Sequence, residues 1–247
     1  MPGMVLAIGG AESHEGDPAV LRTFLNLTGR DPVIAVIAGA SLDAAHAYGR
    51  YADTFRRLGA RQVHWADDPD GSGPVADWWP EITGIFFSGG DQARLVAGIS
   101  PLLPRILACW AGGAPVAGSS AGAAALSRVM LAGGSARSPL DPAGLQFAEG
   151  LGFWPDAIVD QHFSERRRLP RLLTAVIAHP DRVGVGLDEN TAACWYPESQ
   201  ELEVLGSGTV TVVDARGAGA RSGRSTIVVH VLTAGERLGL HMGEAAS

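Results

Sequence analysis

Short apolar runs, each stopped by glycine or a turn and each followed by a helical pattern, leave this chain few folds to choose from. Val5-Leu6-Ala7-Ile8 ends at Gly9-Gly10, and Val33-Ile34-Ala35-Val36-Ile37 is a continuous run of strand length. Ile85-Phe86-Phe87 leads to Gly89-Gly90, and Pro115-Val116-Ala117 leads to Gly118. Strands without polar alternation are buried on both faces, which is the pattern of a parallel sheet covered by helices. Gln62-Val63-His64-Trp65 adds a short strand. Helical patterns fall over residues 18–27, 42–58, 91–96 and 102–110. In the second, Tyr48, Tyr51, Phe55 and Leu58 recur at helical spacing, and Gly59 stands at the C′ position. His46 lies on the polar face of that helix with no neighbour that makes it a ligand. The expected fold is α/β, in three layers, α/β/α, around a mostly parallel sheet.

The pattern changes towards the C-terminus. Residues 192–195, 201–205, 209–213 and 226–232 read as strands separated by turn signals, with no helix between them. They predict a β-rich C-terminal extension, either antiparallel strands on the sheet or a small β-layer. Residues 133–149, rich in Gly, Ser and Pro, read as a long surface excursion at the rim of the site. Residues 67–74 read as a solvated acidic loop. With no linker or internal repeat in view, residues 1–247 are expected to form one domain.

A net charge of −7 argues against nucleic acid or an anionic membrane as the main partner. No apolar run approaches the roughly 20 residues of a membrane span. The N-terminal stretch lacks a basic region before its short apolar run, so no signal peptide is expected and the cytoplasm is the expected compartment. Cys109 and Cys194 lie in apolar surroundings and read as free thiols. The chain contains no lysine, which excludes a P-loop lysine, a Schiff-base lysine and a Ser-Lys dyad. Its seven histidines are scattered, with no His-Glu-x-x-His, so no metal and no cofactor are expected.

Gly118-Ser119-Ser120-Ala121-Gly122 has the G-x-S-x-G form of a nucleophile elbow. Small residues on either side let the chain turn sharply from strand to helix, leaving the Ser120 hydroxyl exposed near the positive end of the helix. A tightly packed glycine-serine turn would read the same way. The other strand ends supply possible partners. Glu12, His14, Glu15 and Asp17 form a polar loop after the first strand. Asp91 suits the N-cap of the helix after Gly89-Gly90, with Gln92 beside it. Residues 157–163 form a strand that delivers Asp160, Gln161 and His162. Arg166, Arg167, Arg168 and Arg171 follow at the start of a helix whose first turn holds Pro170. In an acidic protein this cationic patch reads as an anion pocket or as a solvated helix start. Residues 183–192 carry Asp188 and Glu189 into another turn. A serine needs a base, a histidine can serve, and a carboxylate can orient the imidazole. The order serine, histidine, glutamate differs from that of the α/β-hydrolases.

With these segments in order, the chain resembles the cyanophycinase and dipeptidase E group of serine peptidases, whose fold is a flavodoxin-like sheet of the class I glutamine amidotransferase type. The resemblance rests on Ile8-Gly9-Gly10-Ala11-Glu12, on residues 86–92, 118–123 and 186–192, and on Asp160-Gln161-His162-Phe163 with the arginines that follow. The cyanophycinase branch matches better than dipeptidase E. The resemblance implies Ser120 as nucleophile, His162 as base and Glu189 as the orienting acid. It implies oxyanion donors at Ala121 and at Gly89 or Gly90. It further implies substrate contacts from Gln92, Asp160, Gln161, Arg166, Arg168 and Arg171, and a homodimer. The implied reaction is hydrolysis of an aspartyl-linked amide in a peptide or polypeptide substrate, with cyanophycin giving β-aspartyl-arginine dipeptides. An α-aspartyl dipeptidase, or an amidase or acyltransferase with the same triad, is the alternative. Ser13-His14 departs from the Asp-Lys usual in relatives, and Pro170 interrupts the arginine run.

Overall fold

The computed structural model describes residues 1–69, 71, 76–134, 142–216 and 226–240. Strands β1 (Val5–Ile8), β2 (Val33–Ile37), β3 (Gln62–Trp65), β4 (Gly84–Phe87) and β5 (Val116–Ser119) pair in parallel, in the order β1-β5-β4-β2-β3. All residues of β1, β2, β4 and β5 are buried, as expected for strands covered on both faces. Past β1 the sheet continues antiparallel through β10 (Thr191–Tyr196), β11 (Glu201–Gly206) and β14 (Arg237–Gly239).

The two faces of the sheet are covered differently. Helices α1 (Ala19–Leu27) and α2 (Ala44–Leu58) pack on Leu6, Ile8, Ile34, Val36, Phe86 and Ala117. The Asp43 side chain caps α2 by accepting from the backbone N–H of His46, and Gly59 ends it in the left-handed conformation at φ 106°. Val5, Ala7, Val33, Ile37, Ile85 and Phe87 face the other way. Helices α3 (Gln92–Gly98), α4 (Leu103–Ala111) and α5 (Ala121–Ala125) lie on that side.

A second sheet completes that side. Strands β8 (Ala157–Gln161), β9 (Val183–Leu187), β12 (Val210–Asp214) and β13 (Val228–Leu232) run in the order β13-β12-β9-β8, with only β8 and β9 parallel. Val159, Val185, Leu187, Val210 and Val212 join the core shared with the central sheet. Helix α6 (Leu169–Ala178) covers the outer face, where Leu172 and Val176 pack on Phe163 and Val213. The α/β class read from the sequence therefore stands, and both forms of the C-terminal extension occur. Strands β10, β11 and β14 lengthen the sheet, whereas β12 and β13 build the separate layer.

Two expectations need correction. Part of the expected excursion is a hairpin of β6 (Val129–Gly134) and β7 (Leu145–Glu149), held because Leu131 and Leu145 pack on Ile158 and Ala175. Residues 135–141 of that stretch lie outside the described residues. Asp67 is not simply solvated. It accepts from the N–H groups of Ala38 and Gly39 at 2.9 and 2.6 Å and from the Trp65 indole at 2.8 Å, fixing the loop after β2. Residues 70 and 72–75 of that acidic loop are outside the described residues. No single helix among the described residues is long and apolar enough to cross a membrane.

Candidate active site

Three successive carbonyls at the end of β1 gather the site. Ile8 accepts from the N–H of Ser120, Gly9 from that of His162 and Gly10 from that of Asn190, each at 2.9 Å. The segments after β5, β8 and β9 are thereby tied to one short stretch of backbone. The Ser120 hydroxyl then lies 2.9 Å from His162 Nε2, and His162 Nδ1 lies 2.7 Å from Glu189 Oε1. The chain Ser120–His162–Glu189 is complete.

Local backbone conformation explains the residue choices. Among the described residues six non-glycine residues have positive φ, and Ala11, Ser120, His162 and Asn190 of this hub are four of them. Ser120 sits at φ 51°, ψ −110°. Such conformations cost about 1–3 kcal/mol each and persist only where surrounding structure enforces them. The glycines make that possible. A β carbon on Gly118 would lie 2.4 Å from the Gly122 carbonyl oxygen, and one on Gly122 would lie 2.5 Å from that of Phe87. A β carbon on Gly10 would lie 2.5 Å from the His162 ring.

Glu189 reaches its place through its neighbours. Asp188 accepts from the N–H of Ser164 and from both the N–H and hydroxyl of Thr209. Burial alone would raise its carboxyl, but those hydrogen bonds outweigh it and hold it below the ordinary aspartate value. The Asn190 side-chain oxygen accepts from the N–H of Ser13, joining the turn after β9 to the loop after β1.

The strand before Ser120 has a further support that sequence patterns did not reveal. Glu12 is buried, and its carboxylate accepts from the hydroxyls of Ser119 at 2.6 Å and Tyr51 at 2.5 Å. Tyr51 itself packs on Phe86, with ring centroids 4.5 Å apart. Burial, then the Glu12 charge, pushes the Tyr51 phenol well above its ordinary value, so it remains a donor. Beside this network a cavity of about 300 Å³ opens between Ser120, His162, Gly89 and the α2 residues His46, Arg50 and Tyr51. The helical spacing marked Tyr51 as a core residue, and nothing in it pointed to a carboxylate 39 positions away.

Comparison with known proteins decides the family. Residues 5–201 match peptidase family S51. The chain belongs to that family. A cyanophycinase of Synechococcus elongatus is 44% identical over 227 residues, covering 87% of this chain and 69% of that protein. A cyanophycinase of Trichormus variabilis is 37% identical over 255 residues, covering 96% of this chain and 85% of that protein. A peptidase from an acI-B1 actinobacterium has the same fold, with a TM-score of 0.68 at 23% identity over 97% of this chain and 98% of that one. The chain is thus a serine-type peptidase of family S51.

In this S51 peptidase the expected substrate residues fall into distinct settings. The side chain of Asp160 has no exposure and lies 3.0 Å from both Arg168 and Arg171. Burial pushes its carboxyl up, while Arg171 and Arg168 pull it back. Its oxygens face arginines and the N–H of Gln161 rather than open space. Arg168 also donates to the carbonyl and side-chain oxygens of Gln161, and Arg171 to the carbonyl of Gly134. Arg166 is exposed. The Gln92 amide nitrogen donates to the carbonyls of Leu131 and Ala132 in β6. Gly89 lies beside Ser120, where an added β carbon would be 3.3 Å from its Cβ. Gly90, at φ 146°, packs on the Ala40 carbonyl instead.

Proposed function

We propose that this S51 peptidase degrades cyanophycin, cleaving aspartyl-linked amides to release β-aspartyl-arginine dipeptides. The 37–44% identity to cyanophycinases over most of the chain carries the substrate class. The Ser120–His162–Glu189 hydrogen bonds support the mechanism. Ser120 Oγ attacks the scissile carbonyl carbon as His162 Nε2 takes its proton. Glu189, on Nδ1, holds the tautomer and stabilises the imidazolium. Collapse of the tetrahedral intermediate breaks the C–N bond, and His162 passes its proton to the leaving amine. Water, deprotonated by His162, then attacks the acyl-enzyme and restores the Ser120 hydroxyl.

The N–H groups of Ala121 and Gly89 act as the oxyanion donors in this reading. Ala121 is the first residue of α5, where helical N–H groups lack intrahelical partners, and Gly89 flanks Ser120. Each such donor is typically worth about 3 kcal/mol in the transition state. The family resemblance supports substrate contacts from Gln92, Asp160, Gln161, Arg166, Arg168 and Arg171. The free thiols of Cys109 and Cys194 support a reducing compartment, the cytoplasm, and the resemblance supports a homodimer.

Product analysis by mass spectrometry tests the reading, with cyanophycin and α-aspartyl dipeptides offered side by side. Release of β-aspartyl-arginine from cyanophycin is expected; cleavage of α-aspartyl dipeptides alone overturns the substrate. Ser120→Ala is expected to lower kcat by about 10³–10⁶-fold, as loss of a triad nucleophile does. Undiminished hydrolysis by that variant rules out Ser120 as nucleophile.

A further inference from the structure

The arginines of α2 and of the start of α6 differ in what already engages them. Arg168 and Arg171 share the buried Asp160, and their side chains are only 14% and 9% exposed. Arg57 donates to the His14 carbonyl and the Thr54 hydroxyl. Arg56 pairs with Asp53. Arg50 is different. It lies on the wall of the cavity that contains Ser120 and His162, it is exposed, and among the described residues no carboxylate lies within ion-pair distance of it. Its guanidinium rests 5.7 Å from the centre of the Tyr51 ring.

Arg50 also borders a second cavity with Glu15 and Asp53, and Asp53 pairs with Arg56; the acid in the lining of the Ser120 cavity, Glu12, does not serve as a partner either. Both Glu12 oxygens are occupied, one by Tyr51 and one by Ser119. Glu189 is occupied by His162. The cavity thus presents a planar guanidinium with no carboxylate at ion-pair distance among the described residues, beside Ser120, with the Glu12 carboxylate in its lining already engaged. A guanidinium matches a carboxylate through paired, charge-assisted hydrogen bonds, and stacking on an aromatic face limits its freedom before binding. At about 300 Å³ the cavity has room for a group of roughly one amino acid.

We propose that Arg50 is the specificity residue that binds a substrate carboxylate within one residue of the scissile amide. The proposal rests on the aspartyl-amidase reading above, which supplies two candidate groups. One is the arginine carboxylate of a β-aspartyl-arginine unit, and the other is the aspartyl α-carboxylate at a chain end. The role differs from that of Arg168 and Arg171, which both hold the buried Asp160.

Protection of Ser120 from a fluorophosphonate reads occupancy of the cavity without requiring turnover. The competitors are β-aspartyl-arginine, the same dipeptide with its arginine carboxylate amidated, and the same dipeptide with its aspartyl α-carboxylate amidated. Each labelling rate is taken relative to that variant's own rate without competitor. For the unsubstituted protein one of the two amides is expected to protect about 10–100-fold less well than the dipeptide, the range for a charge-assisted hydrogen-bonded contact. The amide that fails identifies which carboxylate is bound. Arg50→Ala is expected to abolish the discrimination, and Arg50→Lys to restore part of it. Equal protection by all three competitors in the unsubstituted protein overturns the proposal. So does discrimination that survives in Arg50→Ala. Should cyanophycin itself not be cleaved while Arg50→Ala still abolishes discrimination, the substrate reading falls and the role of Arg50 stands.

Discussion

Gly10 has no room for a β carbon, because that atom would lie 2.5 and 2.6 Å from two atoms of the His162 ring, at a backbone φ of 98°. Gly10→Ala is therefore expected to push the imidazole off Ser120 and Glu189. A displacement of about 1 Å at a reacting group can cost about 100-fold. The expected outcome is a fall of that order in kcat/KM, with a smaller loss in thermal stability. A variant of native activity would show that the imidazole has slack the packing does not suggest. At this scale the three residues that meet in the candidate site were legible in the sequence. A G-x-S-x-G turn and the ends of two later strands are local features, and each announces itself by residue type. Glu12, Tyr51 and Arg50 were not legible in the same way. Tyr51 has the spacing of a core residue and Arg50 has the polarity of a solvent-facing one. Their place beside Ser120 depends on where α2 lies over the sheet.

Among the elements, β8 and α6 show how a charged cluster can be structural. Asp160, the penultimate residue of β8, has no side-chain exposure, and Arg168 and Arg171 meet it from the start of α6. Removing one partner of a buried ion cluster leaves charge unpaired, at a cost of about 3–5 kcal/mol. Asp160→Ala is expected to lose stability of that order in urea unfolding, leaving two arginines uncompensated. A loss below about 1 kcal/mol, the ordinary value of an exposed pair, would mean that water reaches the cluster. Strand and helix positions were read well from periodicity. The β6–β7 hairpin was not, because a Gly-, Ser- and Pro-rich stretch between its strands reads as loop and its pairing depends on Leu131 and Leu145 finding Ile158 and Ala175. Short α5 follows the same logic from the other side. All its residues are Ala or Gly and buried, small enough to sit between β5 and β8.

Across the whole molecule, the site exists because two sheets meet. Ser120 comes from the central sheet, whereas His162 and Glu189 come from the ends of β8 and β9 in the second. Trp154, just before β8, stacks on Trp195 of β10 in the central sheet, with ring centroids 5.5 Å apart and planes 15° from parallel. Trp154→Ala is expected to cost about 3–5 kcal/mol. It is also expected to lower kcat/KM by loosening the second sheet against the first. Native activity at the reduced stability would show that the β1 carbonyls alone hold the triad in register. The sequence by itself determined the α/β class and which strands are buried on both faces, and it offered Ser120, His162 and Glu189 as candidates, because apolar runs, turn glycines and motif residues act over a few neighbouring positions. Only the tertiary structure decided that β8 and β9 leave the central sheet, that Asp160 serves its arginines, and that Arg50 stands beside Ser120 with no carboxylate at ion-pair distance among the described residues. Those outcomes depend on distant surfaces burying one another, and on which charges find partners once they do.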